Sequence, residues 1–215
     1  MKKIYLPLVA VAALFVSACN WPGIRGNGHM ATEQRPVPEF SDIKGDGAFR
    51  IEWHSGPPSL SITTDQNLLR YIDSEVEGKT LRLHSHDHLF PTNYITVVIT
   101  SPTFTGASMS GAVRLTATQI SCPKFYLQTA GAARITLDGK ADALLADMSG
   151  AARLIAENLH TKTADITSSG AARAEVYATE ALRVSISGAG KVIYYGHPPK
   201  VEKHVSGAGS INPGD

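Results

Sequence analysis

Ser149-Gly150-Ala151-Ala152-Arg153-Leu154 is one copy of a phrase that recurs through the C-terminal half of the chain. It stands earlier as Ser110-Gly111-Ala112-Val113-Arg114-Leu115 and Ala130-Gly131-Ala132-Ala133-Arg134-Ile135. It returns as Ser169-Gly170-Ala171-Ala172-Arg173-Ala174, Ser187-Gly188-Ala189-Gly190-Lys191-Val192 and Ser206-Gly207-Ala208-Gly209-Ser210-Ile211. The glycines at 111, 131, 150, 170, 188 and 207 are 20, 19, 20, 18 and 19 residues apart. A period of this length is the mark of a solenoid.

The repeats read as strand. Each glycine would cost a helix about 1 kcal/mol relative to alanine, and Ser, Thr and β-branched residues are frequent throughout. Four places after each glycine stand Leu115, Ile135, Leu154, Ala174, Val192 and Ile211, all apolar. Three places after stand Arg114, Arg134, Arg153, Arg173, Lys191 and Ser210, all polar. On a strand, neighbouring positions face opposite ways, so the contrast separates an inside from an outside. Stacked units pair equivalent strands in parallel and fill a narrow interior. The expected fold is therefore all-β, a single-stranded parallel β-helix with coils of about 20 residues. Gly111, Gly131, Gly150, Gly170, Gly188 and Gly207 are its expected corners, and the alanines after them suit the limited room there.

Outward from the repeats, Phe49, Ile51 and Trp53 alternate on one strand, closed by the turn Ser55-Gly56-Pro57-Pro58. Leu60 to Thr63 begins another strand, Leu81 and Leu83 point inward on a third, and Tyr94 to Thr100 is the most strand-like window. Residues 65–72 fit either a helical turn or a bent strand.

The N-terminus carries a processing signal. Lys2 and Lys3 precede an apolar run from Leu6 to Val16, too short for the roughly 20 residues that span a bilayer. Val16-Ser17-Ala18-Cys19 resembles a bacterial lipobox, so residues 1–18 are expected to leave and Cys19 to be acylated. Asn20, where an aspartate would favour retention in the inner membrane, points to an outer-membrane lipoprotein. Residues 19–38, polar and carrying three prolines, read as a flexible tether, and residues 39–215 as one β-helix domain.

Removing residues 1–18 takes Lys2 and Lys3 from the 20 basic residues, leaving 18 against 19 acidic, a net charge of −1. That balance excludes a nucleic-acid footprint. With Cys19 acylated, Cys122 has no disulfide partner and reads as a small core residue.

The opening Phe40-Ser41-Asp42-Ile43, the segment Glu75-Val76-Glu77-Gly78-Lys79-Thr80-Leu81, the strand Tyr94 to Thr100 and the Ser-Gly-Ala-Gly phrases at 187–190 and 206–209 carry a resemblance. Over residues 39–212 the chain resembles the family of bacterial secreted proteins labelled putative autotransporter adhesin, head GIN domain. The resemblance implies a right-handed parallel β-helix, often on a lipoprotein, with adhesin-like character and no catalytic residues to carry over. Ala133, Ala152 and Ala172 depart from the second glycine of the family phrase.

Two constellations are candidates for function. Stacked in register, Arg114, Arg134, Arg153, Arg173 and Lys191 form a basic ladder at about 5 Å steps. It must be solvated, neutralised by Asp138, Glu157 and Glu175, or occupied by an anionic polysaccharide or lipid headgroup. His84, His86 and His88 share one strand face and are candidate ligands for Zn²⁺, alone or with Cys122, although about 6.5 Å separates alternate residues on a strand. The alternative is a solvated histidine-rich loop. Asp138, Asp147, Glu157 and Asp165 are the carboxylates from which a sugar-cleaving pair would come. A nucleophilic serine would be singular, whereas this phrase recurs six times, with Ala130 as the variant of the serine, and there is no nucleotide-binding loop. No cofactor is expected. The function read from sequence is a lipid-anchored, non-catalytic structural or adhesive module of the envelope, meeting glycan or envelope protein. The alternative is a polysaccharide-binding or polysaccharide-cleaving β-helix.

Overall fold

The computed structural model describes residues 23–214. The signal segment and Cys19 lie outside the described residues. Strand follows strand along the rest, and only one helical turn, Leu69–Tyr71, interrupts them; it resolves the open reading of residues 65–72. Among the described residues no helix is long and apolar enough to cross a membrane.

The body is the parallel β-solenoid expected from the repeats. Arg114–Gly131, Arg134–Gly150, Arg153–Gly170 and Arg173–Gly188 each make one circuit and pair in parallel with the next. One bend of each circuit is the glycine corner, where the amide after each glycine from Gly111 to Gly188 donates to the glycine carbonyl one coil back, as Ala151 does to Gly131 at 2.9 Å. Elsewhere the circuits are interrupted by register shifts between Ala117 and Ile120, between Thr136 and Gly139, between Ala156 and His160 and between Thr161 and Thr163.

The corner glycines are costly to replace for a geometric reason. Gly150 has φ +89°, and a Cβ there would lie 2.6 Å from the Gly131 carbonyl oxygen. The same holds along the whole column, in which each glycine pairs directly with the next. Gly47 is a seventh member, in register with Gly111 and also at positive φ. Its phrase, Asp46-Gly47-Ala48-Phe49-Arg50-Ile51, matches the repeat. The period hides it, because after Phe49–Ser55, which still stacks on the solenoid, residues 56–105 build one end of the stack before the chain resumes at Gly106–Gly111.

That end is closed by antiparallel strands. Ile72–Glu77 pairs with Thr80–Ser85, and Ser59–Asp65 pairs with Ile95–Ser101. Beyond them lies Met30–Arg35, antiparallel to Ser59–Asp65. These residues fall in the stretch expected to be a flexible tether, so the described part of that expectation is corrected. Ile24–Arg25 also pairs, with Leu89–Phe90. The segment has no apolar period to betray it, and side-chain clamps hold it instead. Arg35 donates to the carbonyls of Ile72 at 2.6 Å and Leu69 at 3.0 Å. The buried carboxylate of Asp65 accepts from the Gly28 amide at 2.7 Å, the Thr92 amide at 2.8 Å and the Thr92 hydroxyl.

The core tapers along the stack. Trp53, Phe104 and Phe125 pack ring to ring at 4.9 and 5.1 Å near the closed end. Two places after each glycine, the side chain shrinks from Phe49 and Val113 through Ala133, Ala152 and Ala172 to Gly190 and Gly209. The last two are small because Ile186 fills the space: a Cβ on Gly209 would lie 2.7 Å from its Cγ2. The crowding expected of the corner alanines therefore applies to Ala133, Ala152 and Ala172, which are buried, whereas Ala132, Ala151 and Ala171 are exposed.

The other end is open. Lys200–Gly207 and Ser210–Pro213 pair on one side only. Lys203 continues an inward row, in register with buried Val184. Its ammonium turns back across the opening, donating to the Ile211 carbonyl at 3.2 Å and lying 5.1 Å from the centre of the Tyr194 ring. A charge at an inward position is one way to keep an edge strand from pairing with another molecule.

Candidate functional site

Register brings the basic residues together. Arg114 pairs directly with Arg134, Arg134 with Arg153, Arg153 with Arg173 and Arg173 with Lys191. Arg50 extends the row by one step, in register with Arg114. The six-residue phrase around Gly47 thus adds an arginine that the spacing alone did not reveal. Adjacent strands stand about 4.8 Å apart, so six cations share one line of about 24 Å.

Little neutralises the line. Arg153 meets Glu175 at 3.1 Å, and Arg50 lies 3.8 Å over the ring of Tyr94. Among the described residues, Arg114, Arg134, Arg173 and Lys191 form no ion pair, and Asp138 and Glu157 do not reach the row. The reason is register. Glu175 stands two places along its strand from Arg173 and slants toward the neighbouring Arg153, while the matching positions on other coils are Glu52, Thr116, Thr136, Ile155 and Ile193, and Glu52 makes no ion pair among the described residues. Beside the row, the exposed corner alanines make a smooth shoulder. The arrangement is a cationic comb on a flat edge, suited to a flexible anionic chain or a field of headgroups.

The histidines do not converge. His84 Nδ1 lies 3.6 Å from Asp46, and His86 Nε2 lies 2.5 Å from Asp73, so separate carboxylates hold the two rings. The His88 carbonyl accepts the Ile24 amide at 2.9 Å. Among the described residues no three metal-ligating side chains gather at one point. Cys122 is half-buried elsewhere, in a groove it lines with His160 and Tyr177, and burial pushes its thiol pKa up. The candidate carboxylates separate as well. Asp147 and Asp165 line a groove on the face that precedes each glycine corner, whereas Asp138 and Glu157 follow it.

A family model described as "Putative auto-transporter adhesin, head GIN domain" matches residues 39–198. The fold is shared with a putative adhesin from Bacteroides fragilis NCTC 9343, with a TM-score of 0.71 and 20% identity over 89% of this chain and 100% of that one. It is shared with a putative lipid binding protein from Parabacteroides distasonis ATCC 8503, at TM-score 0.55 and 21% identity over 89% and 99% of the two chains. A putative adhesin from Parabacteroides merdae ATCC 43184 has a TM-score of 0.57 and 18% identity over 89% and 99%. No curated protein matches the sequence.

Proposed function

The chain belongs to the putative auto-transporter adhesin, head GIN domain family, and from that premise we propose that it is a non-catalytic adhesive module of the bacterial envelope, held to the outer membrane through an acylated Cys19. The observation that carries the reading is the comb: Arg114, Arg134, Arg173 and Lys191 are exposed, aligned and free of carboxylates. Like charges at such spacing repel unless something anionic lies across them. The partner proposed is an acidic polysaccharide or a phosphate-bearing lipid headgroup array, bound through many weak contacts that add along the line. The regular ladder and the flat edge support binding of an extended chain over enclosure of one bond for cleavage.

The test is a glycan and lipopolysaccharide array probed with the full chain in polyoxyethylene micelles, at low and high salt. The comparison is the Arg134→Ala/Arg153→Ala/Arg173→Ala variant, whose folding is checked by urea midpoint. Binding through the comb falls steeply with salt, because the screening length shrinks to about 3 Å at 1 M, and disappears in the triple variant. Anionic binding that survives all three substitutions sinks the assignment. The anchor is tested separately: Cys19→Ala abolishes labelling by a fatty-acid analogue, and retained label defeats it.

A further inference from the structure

On the face that precedes each glycine corner the outward residues do not repeat, and their differences shape a groove. Strand pairing sets Asp42, Gly106, Tyr126, Leu145 and Asp165 side by side in one row across successive coils. The row beside it holds Ser108, Gln128, Asp147 and Thr167. Together they line a groove of ≈ 650 Å³, within the range of sites that hold a small organic ligand. Through Leu145 and Asp165 it continues into a second hollow of ≈ 360 Å³ that reaches Arg183.

The first row supplies an apolar floor. At Gly106 the Asp42 carboxylate lies over the bare backbone, since a Cβ there would come 2.5 Å from an Asp42 oxygen and 3.3 Å from the Tyr126 carbonyl. Tyr126 stands beside it with 51% of its surface exposed, far more than a core tyrosine would show. The second row, which begins with Arg82 and Lys44, goes on to supply neutral hydrogen-bonding groups and one carboxylate, Asp147, which makes no hydrogen bond or ion pair among the described residues.

A pyranose has a face of C–H groups and a rim of hydroxyls, which matches an aromatic floor flanked by acceptors. The groove crosses strands about 4.8 Å apart, close to the length of one sugar unit, so a linear chain along the solenoid axis meets a fresh pair of side chains at each step. Charge chooses between glycans. Arg82 is held by Glu77 at 2.9 Å and Asp165 by Arg183 at 3.9 Å, which leaves Asp42 and Asp147 balancing Lys44 and Lys124, whose ammonium lies 5.3 Å from the centre of the Tyr126 ring. With its charges balanced, the groove offers an anionic polymer no advantage, unlike the arginine comb. We propose that this groove binds a neutral polysaccharide laid along the stack, with Tyr126 as stacking platform and Asp147 as acceptor for vicinal hydroxyls. The proposal shares with the functional reading the premise that outer faces bind glycans, but not the site.

The experiment is affinity electrophoresis of the full chain, in polyoxyethylene micelles, against β-glucan, α-mannan, galactan and chitin oligomers, with dextran sulfate as the anionic counterpart. At least one neutral polymer retards the protein in a salt-insensitive way. Tyr126→Ala weakens that binding at least about tenfold, Tyr126→Phe retains it, Asp147→Ala weakens it, and the arginine triple variant leaves it unchanged. Tyr126 is a surface residue, and an unaltered urea midpoint excludes unfolding as the cause. Absence of binding to every neutral polymer overturns the proposal, as does neutral binding indifferent to Tyr126→Ala. Loss of dextran sulfate binding in the arginine variant, with neutral binding intact, separates the two sites; neutral binding lost in the arginine variant instead assigns it to the comb and overturns the groove.

Discussion

Replacing Gly150 by alanine separates two reasons for a glycine at a solenoid corner. The first is conformational: Gly150 has φ +89°, where an L side chain costs about 1–2 kcal/mol. The second is steric. The added Cβ would lie 2.6 Å from the Gly131 oxygen and 3.0 Å from its nitrogen, and these are backbone atoms of a hydrogen-bonded neighbour. Relief requires the two coils to part, an overpacking cost of about 1–3 kcal/mol. Gly78, in the turn between Ile72–Glu77 and Thr80–Ser85, is the control, with φ +63° and nothing within 4 Å of its added Cβ. Gly78→Ala is therefore expected to cost about 1 kcal/mol, and Gly150→Ala about 2–5 kcal/mol. Against a total of about 5–15 kcal/mol the second is a large loss. Urea unfolding followed by circular dichroism measures both, and Gly150→Ala lowers the midpoint by about 1 M or more. Stacked repeats can unfold in parts, so the slopes must be compared along with the midpoints. Equal losses at the two positions, within about 0.5 kcal/mol, would refute the claim that coil-to-coil contact selects the corner glycines.

Two further outcomes follow from the ends of the stack. Lys203→Val completes an apolar row behind Val184 at the open end and removes the ammonium that guards it; sedimentation velocity then shows concentration-dependent dimers, and a variant that stays monomeric refutes the guarding role. Asp65 has its carboxyl pKa lowered, chiefly by the Thr92 hydroxyl, against an opposing effect of burial. Its folded value lies below the unfolded one of about 3.9, so its stabilisation is complete above that pH and is lost as pH falls through the folded value. Asp65→Asn flattens the acid side of the stability profile and costs about 1–3 kcal/mol at neutral pH; an unchanged urea midpoint series from neutral to acid pH contradicts this.

Architecture was legible wherever identity recurs. A corner that must pass under a backbone oxygen admits only glycine, so the six spaced glycines, the apolar rows behind them and the arginines beyond them announce themselves in one dimension. Gly47 and Arg50 carry the same phrase but stand 64 residues before Gly111 and Arg114, because the antiparallel end of the stack is spelled out between them. Met30–Arg35 was illegible for another reason. An edge strand that buries no residue fully needs no apolar alternation, and its order comes from the backbone of Ser59–Asp65 and from Arg35.

The chain's own order of residues therefore determines the repeat, the strand, the inside and the outside, since each is a local demand on φ or on polarity. Only the tertiary structure decides which side chains become neighbours. It leaves the arginines unneutralised by aiming Glu175 at one of them, and it opens a groove by setting Gly106 beside Tyr126 and Asp147 one coil further on. Those neighbours lie about twenty residues apart and share no pattern, so nothing short of the stacked coils brings them into one site.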